Sequence, residues 1–153
     1  MVLIYGQPGS GKTTLAKALI EEIHNRIYFY DVPSKVIPIM LDGDEWRTIT
    51  ANTDYSKEGR DRNLMSAFRM AIKLKNDGFY PVLSFVSPYA SHRNYLKEHG
   101  AKMVYLYYNN NRGKADYAVS DFEMGDTDLT LNTSNYPIKQ CISSIIHLLF
   151  VDK

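Results

Sequence analysis

One cysteine, Cys141, in a chain of 153 residues excludes an internal disulfide. Its place in an apolar helical pattern fits a core residue in a reducing compartment. Charge of one sign is also missing. Eighteen Lys and Arg against seventeen Asp and Glu leave net +1, so no field recruits DNA or an anionic membrane. A local Arg cluster could still hold one phosphorylated metabolite. No apolar run nears the ~18 residues of a membrane span, and Met1 leads into the first strand without a signal peptide. The expectation is a cytoplasmic protein without membrane or nucleic-acid partners. Apart from Asn109, Asn110 and Asn111 there is no low-complexity tract, and no internal repeat. The length suits one domain, 1–153, that buries roughly two thirds of its unfolded surface.

What is present begins with Gly6-Gln7-Pro8-Gly9-Ser10-Gly11-Lys12-Thr13, set between the apolar run Met1 to Tyr5 and a helical pattern. This is a P-loop in its proper context. Glycines are needed because the chain must wrap a phosphate with N–H groups pointing inward, where a Cβ would obstruct it. Lys12 is expected to reach the β- and γ-phosphates, and the Thr13 hydroxyl to ligate Mg²⁺, with Thr14 assisting. The helix starting near Gly11 adds its dipole. The motif implies a nucleoside triphosphate, with Gly6 to Thr14 as its binding residues.

Further along, Leu15, Ala18, Leu19 and Ile23 predict a helix over 11–25, and Ile27 to Tyr30 a brief extended stretch. Val36 to Leu41 reads as a buried strand ending in Asp42-Gly43-Asp44. A helix begins at Glu45, and Ile49 to Asp54 reads as a polar loop. Ser56 is a suitable N-cap for a helix from Lys57 to Asn76, with Gly78 as its stop. Leu64, Ala67, Phe68, Ala71, Ile72 and the Lys75 stem would form its core face. Strands follow at Pro81–Val86, Met103–Tyr107 and Leu129–Leu131, with helices around His92–His99 and from Pro137. Alternating strands and helices predict an α/β fold of three layers, the P-loop NTPase kind. A central parallel sheet is flanked by helices, with ligands at the strand carboxyl ends. The aperiodic stretch 109–126 is the expected lid. It carries Arg112, Lys114, Tyr117 and Phe122 and is expected to close over donor and acceptor.

Two constellations sit beside the P-loop. Asp42 or Asp44 could take a proton from an attacking hydroxyl or hold Mg²⁺ through water, since phosphoryl transfer rests on positioning and charge neutralisation. Arg60 and Asn63, three apart on one helix, point together. With Arg47 they supply two guanidinium forks for an anion and an amide that can read a base or sugar.

Leu41-Asp42-Gly43-Asp44-Glu45-Trp46-Arg47 resembles the LDGDxxR segment of adenylylsulfate kinases, which use ATP to phosphorylate the 3′-hydroxyl of adenosine 5′-phosphosulfate (APS). Tyr55-Ser56 through Arg60 and Asn63 is similar to that family's FSxxxRxxN, and Ser84 to Tyr89 with Arg93 to its SFISPyrxxR. Tyr117 to Glu123 is similar to the segment that closes the family's lid, and Leu131-Asn132-Thr133 to the strand after it. The resemblance implies that Asp42 engages Mg²⁺ and the substrate hydroxyl, with Asp44 beside it. Arg47, Arg60 and Asn63 would hold the phosphosulfate and adenosine, Val86 and Ser87 would line the substrate with backbone, and Tyr55 would stack on adenine. The implied activity is an alcohol-group phosphotransferase of sulfate activation, using ATP and Mg²⁺. A homodimer is compatible with it.

The chain departs from the family at two places. Leu64-Met65-Ser66 replaces a basic pair, and the lid is shorter, leaving Tyr117 or Phe122 for the second adenine clamp. Three other readings compete. The shortened lid suits a related kinase for another small hydroxyl compound. A nucleotide-dependent switch is opposed by the absence of an NKxD signature and by the idle Asp and Arg sets. A polynucleotide kinase would need a strand-tracking basic groove.

Overall fold

The computed structural model describes residues 1–29, 36–109 and 111–152. Five parallel strands form one sheet of order β2-β3-β1-β4-β5. They are β1 (Val2–Tyr5), β2 (Ile37–Asp42), β3 (Phe79–Phe85), β4 (Lys102–Tyr107) and β5 (Leu129–Asn132). Among the described residues five α-helices flank the sheet: α1 (Lys12–Phe29), α2 (Gly43–Thr50), α3 (Lys57–Asn76), α4 (Ala90–Glu98) and α5 (Ile138–Ile146), the last running into a π turn over His147–Val151.

The three layers follow from the period of two along β1. Val2 and Ile4 face Leu15 and Leu19 of α1 and Ile142 and Ile145 of α5. Leu3 and Tyr5 face the other way, onto Leu64 and Phe68 of α3 and Leu96 of α4. All four β1 residues are buried, so their apolar run without polar alternation is the mark of a central parallel strand. Cys141 is buried in the α1–α5 layer, as its helical phase predicts.

Differences from expectation concern element ends. Helix α1 continues to Phe29 because Ile27 extends the Leu15, Leu19, Ile23 spacing and packs on the same layer. The extended stretch expected from Ile27 is therefore helix, and Tyr30 lies outside the described residues. Helix α2 starts at Gly43 because the Asp42 carboxylate caps it by accepting the Asp44 and Glu45 N–H groups, and it takes in Ile49 before ending at the left-handed Ala51, whose N–H reaches the Arg47 and Thr48 carbonyls. Strand β3 begins at Phe79, two residues before Pro81. The Lys75 side chain leaves the core face and donates to the His99 carbonyl at 2.6 Å.

Helix α3 has the expected cap: Ser56 Oγ accepts from the Gly59 N–H at 3.2 Å. The same first turn holds the preceding loop, since Asn52 Nδ2 donates to the Gly59 carbonyl at 2.9 Å. A Cβ on Gly59 would lie 2.2 Å from the Asp54 carbonyl oxygen. Alanine normally stabilises a helix relative to glycine by roughly 0.5–1 kcal/mol. Here overpacking, at about 1–3 kcal/mol, outweighs that gain. Gly59→Ala is therefore expected to lower the urea midpoint. A raised midpoint would show that the loop from Asn52 to Tyr55 yields freely.

Candidate active site

The parallel sheet brings the carboxyl ends of β1, β2 and β3 together, and the P-loop turns from β1 into α1 there. Gly6 is required at the strand end, because a Cβ would meet the Leu106 carbonyl oxygen at 2.1 Å. Gly11, at φ +92°, takes the left-handed turn into α1. Lys12 is buried against the loop, donating to the Gln7 carbonyl at 2.9 Å and approaching Ser10 Oγ at 3.4 Å.

Asp42, at the end of β2, is also buried. Its Oδ1 accepts from Thr13 Oγ1 at 2.8 Å, and its Oδ2 takes the two helix-capping N–H groups. The P-loop and α2 are thus tied through one carboxylate. Asp44 differs: among the described residues its carboxylate accepts no hydrogen bond, and it lines both of the cavities that meet here. The first, about 480 Å³, is walled by the P-loop, and the second, about 560 Å³, by α2, α3 and the lid. Pro8, Gly43, Asp44, Phe85, Val86 and Lys114 belong to both.

The expected residues divide between these cavities. Pro8, Gly9, Gly11, Lys12, Thr13, Thr14 and Arg112 line the first, together with Asp42. Arg47, Tyr55, Arg60, Asn63, Val86, Ser87, Lys114 and Tyr117 line the second. Gly6, Gln7 and Ser10 line neither. Gly6 and Ser10 are buried supports, and the Gln7 side chain turns to the lid. Phe122 lines neither as well. It stacks 6.3 Å from Tyr5 and packs on Tyr105 with the Arg93 guanidinium above it, so Tyr117 is left as the lid's cavity aromatic.

Within the second cavity several groups are prepared for polar ligands. Asn63 is buried and its Oδ1 has no hydrogen-bond partner among the described residues; Ser87 Oγ is in the same condition. Ser87 holds φ +44°, a strained conformation for a non-glycine residue. It persists because the buried Arg93 takes the Ser87 carbonyl at 2.7 Å. Arg47 stacks 4.1 Å over the Tyr55 ring, and its Nη1 holds the loop through Asn52 Oδ1 and the Asp54 carbonyl. Part of its fork is therefore spent on placing Tyr55.

The lid's described residues, 111–126, contain two 3₁₀ turns, Asn111–Gly113 and Ala115–Tyr117. It is tied at several points. Arg112 donates to the Gly9 carbonyl and stacks on Tyr108. Asp121 accepts from Arg60 and from the Tyr89 hydroxyl. Glu123 receives the Ala90 N–H on its carboxylate and Arg93 on its carbonyl. Sequence reading missed Tyr89, Asp121 and Glu123 as partners, since each pair is distant in sequence. It also missed Thr133, Tyr136 and Ile138, which line the first cavity from the β5–α5 connection. Tyr136 and Ile138, an aromatic and an aliphatic residue flanking Pro137 next to the polar run Asn132 to Asn135, were the available signal.

The adenylylsulphate kinase family pattern matches residues 1–114, which carry the P-loop, both aspartates and every second-cavity residue from Arg47 to Ser87. The chain belongs to the adenylylsulphate kinase family. A probable adenylyl-sulfate kinase of Archaeoglobus fulgidus is 32% identical over 108 residues, 70% of this chain and 64% of that protein. One of Pyrococcus abyssi is 35% identical over 109 residues, 69% of this chain and 58% of that protein. The chain spans about three fifths of the length of these curated relatives. Its fold is shared with the Mycobacterium tuberculosis APS kinase CysC, solved in complex with AMPPNP and APS. The TM-score is 0.78 at 20% identity, covering 97% of this chain and 96% of that one. No helix among the described residues is long and apolar enough to cross a membrane.

For this adenylylsulphate kinase family member, Lys12 yields a prediction. Burial pushes its ammonium down to about 8, against the pull of Asp44 and Asp42, and Lys114 adds to the depression. Above that pH the free side chain is mostly neutral, whereas a bound polyphosphate favours the charged form. Nucleotide binding should therefore take up a proton near pH 8.5, and affinity should fall by at most about tenfold per pH unit above it. Calorimetry in two buffers of different ionisation enthalpy measures the uptake. Lys12→Arg, whose guanidinium stays charged, should abolish it. Equal enthalpies for the parent in both buffers would contradict the assignment.

Proposed function

We propose that the chain transfers the γ-phosphoryl group of ATP to the 3′-hydroxyl of APS. The observation that carries this reading is the pair of joined cavities with Asp44 on their common wall. A donor and an acceptor held on either side of one carboxylate are what phosphoryl transfer to an alcohol requires.

In this reading the first cavity takes ATP. Lys12 leaves the Gln7 carbonyl for the phosphates, and Arg112 covers the loop. Thr13 and Asp42 offer hard oxygen donors 2.8 Å apart. Among the described residues no cluster of three or more His, Cys, Asp or Glu could hold a metal. Mg²⁺ binds through few protein oxygens together with substrate phosphates. When bound it neutralises charge on the transferring group. Asp42, already committed to Thr13 and the α2 cap, serves the metal side. Asp44 accepts the proton from the acceptor hydroxyl.

The second cavity takes APS. Tyr55 and Tyr117, both largely exposed within it, bracket the adenine. A base stacked on an aromatic ring gains ~1–3 kcal/mol. The unpartnered Asn63 Oδ1 accepts from a ligand donor such as the adenine amino group. Arg60 uses one nitrogen for Tyr89 and Asp121, and its remaining N–H groups are available to the phosphosulfate. Lys114, present in both cavities, spans the two anions. The lid beyond Lys114 lies outside the matched residues, and this favours, as the second reading, a kinase for another small hydroxyl metabolite.

A coupled assay with ATP and a panel of APS, adenosine phosphates and other small hydroxyl compounds decides between them. APS should be phosphorylated with the highest kcat/KM. If APS is inert while another compound is phosphorylated, only the coarser kinase reading survives. Asp44→Asn should lower kcat by roughly a hundredfold or more while both Michaelis constants stay within a few fold. Full turnover in this variant would remove Asp44 from the chemistry. Arg60→Ala should raise the APS Michaelis constant by about tenfold to a hundredfold, for a lost charge-assisted bond of ~1.5–3 kcal/mol. The constant for ATP should hardly move.

A further inference from the structure

We infer that Gln7, although it belongs to the P-loop, is a positioning residue for the acceptor: its side-chain amide holds the lid wall of the second cavity. The inference rests on the reading of that cavity as the acceptor site. Gln7 Nε2 donates to the Val119 carbonyl at 3.0 Å, and the Val119 N–H donates to Gln7 Oε1 at 2.9 Å. Two bonds in opposite senses fix the orientation of the amide, because a flipped amide would set donor against donor and acceptor against acceptor. They join residues 112 apart in sequence.

The cavity walls give this contact its function. Gln7 lines neither cavity, whereas Val119, Ala118 and Tyr117 all line the second and none lines the first. Tyr117 is the lid aromatic of that cavity, 73% exposed in a 3₁₀ turn two residues before Val119. The Gln7 carbonyl meanwhile accepts from the Lys12 ammonium. One residue thus touches the donor side through its backbone and the acceptor side through its side chain. Substitution of the side chain leaves the backbone contact in place, so acceptor affinity should suffer and nucleotide affinity should not.

The test uses Gln7→Met, which keeps the length and loses both bonds, and Gln7→Ala, which removes the amide altogether and also loses both. In both, the acceptor Michaelis constant should rise about tenfold, as for loss of two neutral hydrogen bonds, with that for ATP within about twofold. In the ligand-free variants the Val119 amide should lose hydrogen-exchange protection relative to the parent. An ATP constant that rises as much as the acceptor's, an unchanged acceptor constant, or unchanged exchange at Val119 would overturn the inference. If the parent does not phosphorylate APS, the proposed function fails. The positioning role is then judged by Val119 exchange and by AMPPNP affinity, neither of which depends on the acceptor.

Discussion

The geometry of this site depends on the Asp42 carboxylate. One oxygen accepts from Thr13 at the start of α1, the other from the first N–H groups of α2, and the residue itself ends β2. A buried anion is costly unless paired or hydrogen-bonded, and here three donors satisfy it. The distance from the phosphate loop to α2 is therefore set by a side chain that cannot move without losing its partners. Everything on α2, including Asp44 and Arg47, inherits that distance. A pair of aspartates two residues apart can play unlike parts because one is spent on structure and the other is left open.

The same division explains what the sequence made legible. The P-loop, the Asp-Gly-Asp strand end and the Arg60–Asn63 helix face are local patterns, and local geometry carries them into the fold unchanged. Helix α3 even ends where its cap residues predict. Choices between equivalent residues were not legible. Tyr117 and Phe122 both fit a lid aromatic by type, and the difference lies in Tyr5, Tyr105 and Arg93, which draw Phe122 into the core. Gln7 reads as a phosphate-loop residue because its backbone is one. Its partner, Val119, is named by nothing nearby in sequence.

Arginine placement shows how such sites are prepared. Arg93 spends its charge on two carbonyls and two aromatic faces, holding Ser87 in a strained conformation beside the second cavity. Arg47 spends one nitrogen on the loop that presents Tyr55. Arg60 spends one on Tyr89 and Asp121. In Arg47 and Arg60 the guanidinium is a planar fork fixed at one terminal nitrogen, which orients the rest of the group without consuming it. Guanidinium groups held in this way lose little freedom on taking a further partner, which lowers the ordering cost of any such contact.

The lid follows the opposite economy. Its ties to Gly9, Gln7, Arg60, Tyr89, Ala90 and Arg93 are polar bonds at exposed or part-buried positions. Such a bond contributes about 1 kcal/mol net, whereas ordering a residue's backbone costs about 1–2 kcal/mol. The bonds therefore specify where the lid rests more than they force it to stay, and Phe122 is its apolar anchor at one end. Between that anchor and the P-loop, the segment from Lys114 to Asp121 is held by Gln7, which lines neither cavity, and by Arg60, which lines the second. A ligand that reinforces one hold makes the other cheaper to keep, and by linkage the reverse is equally true.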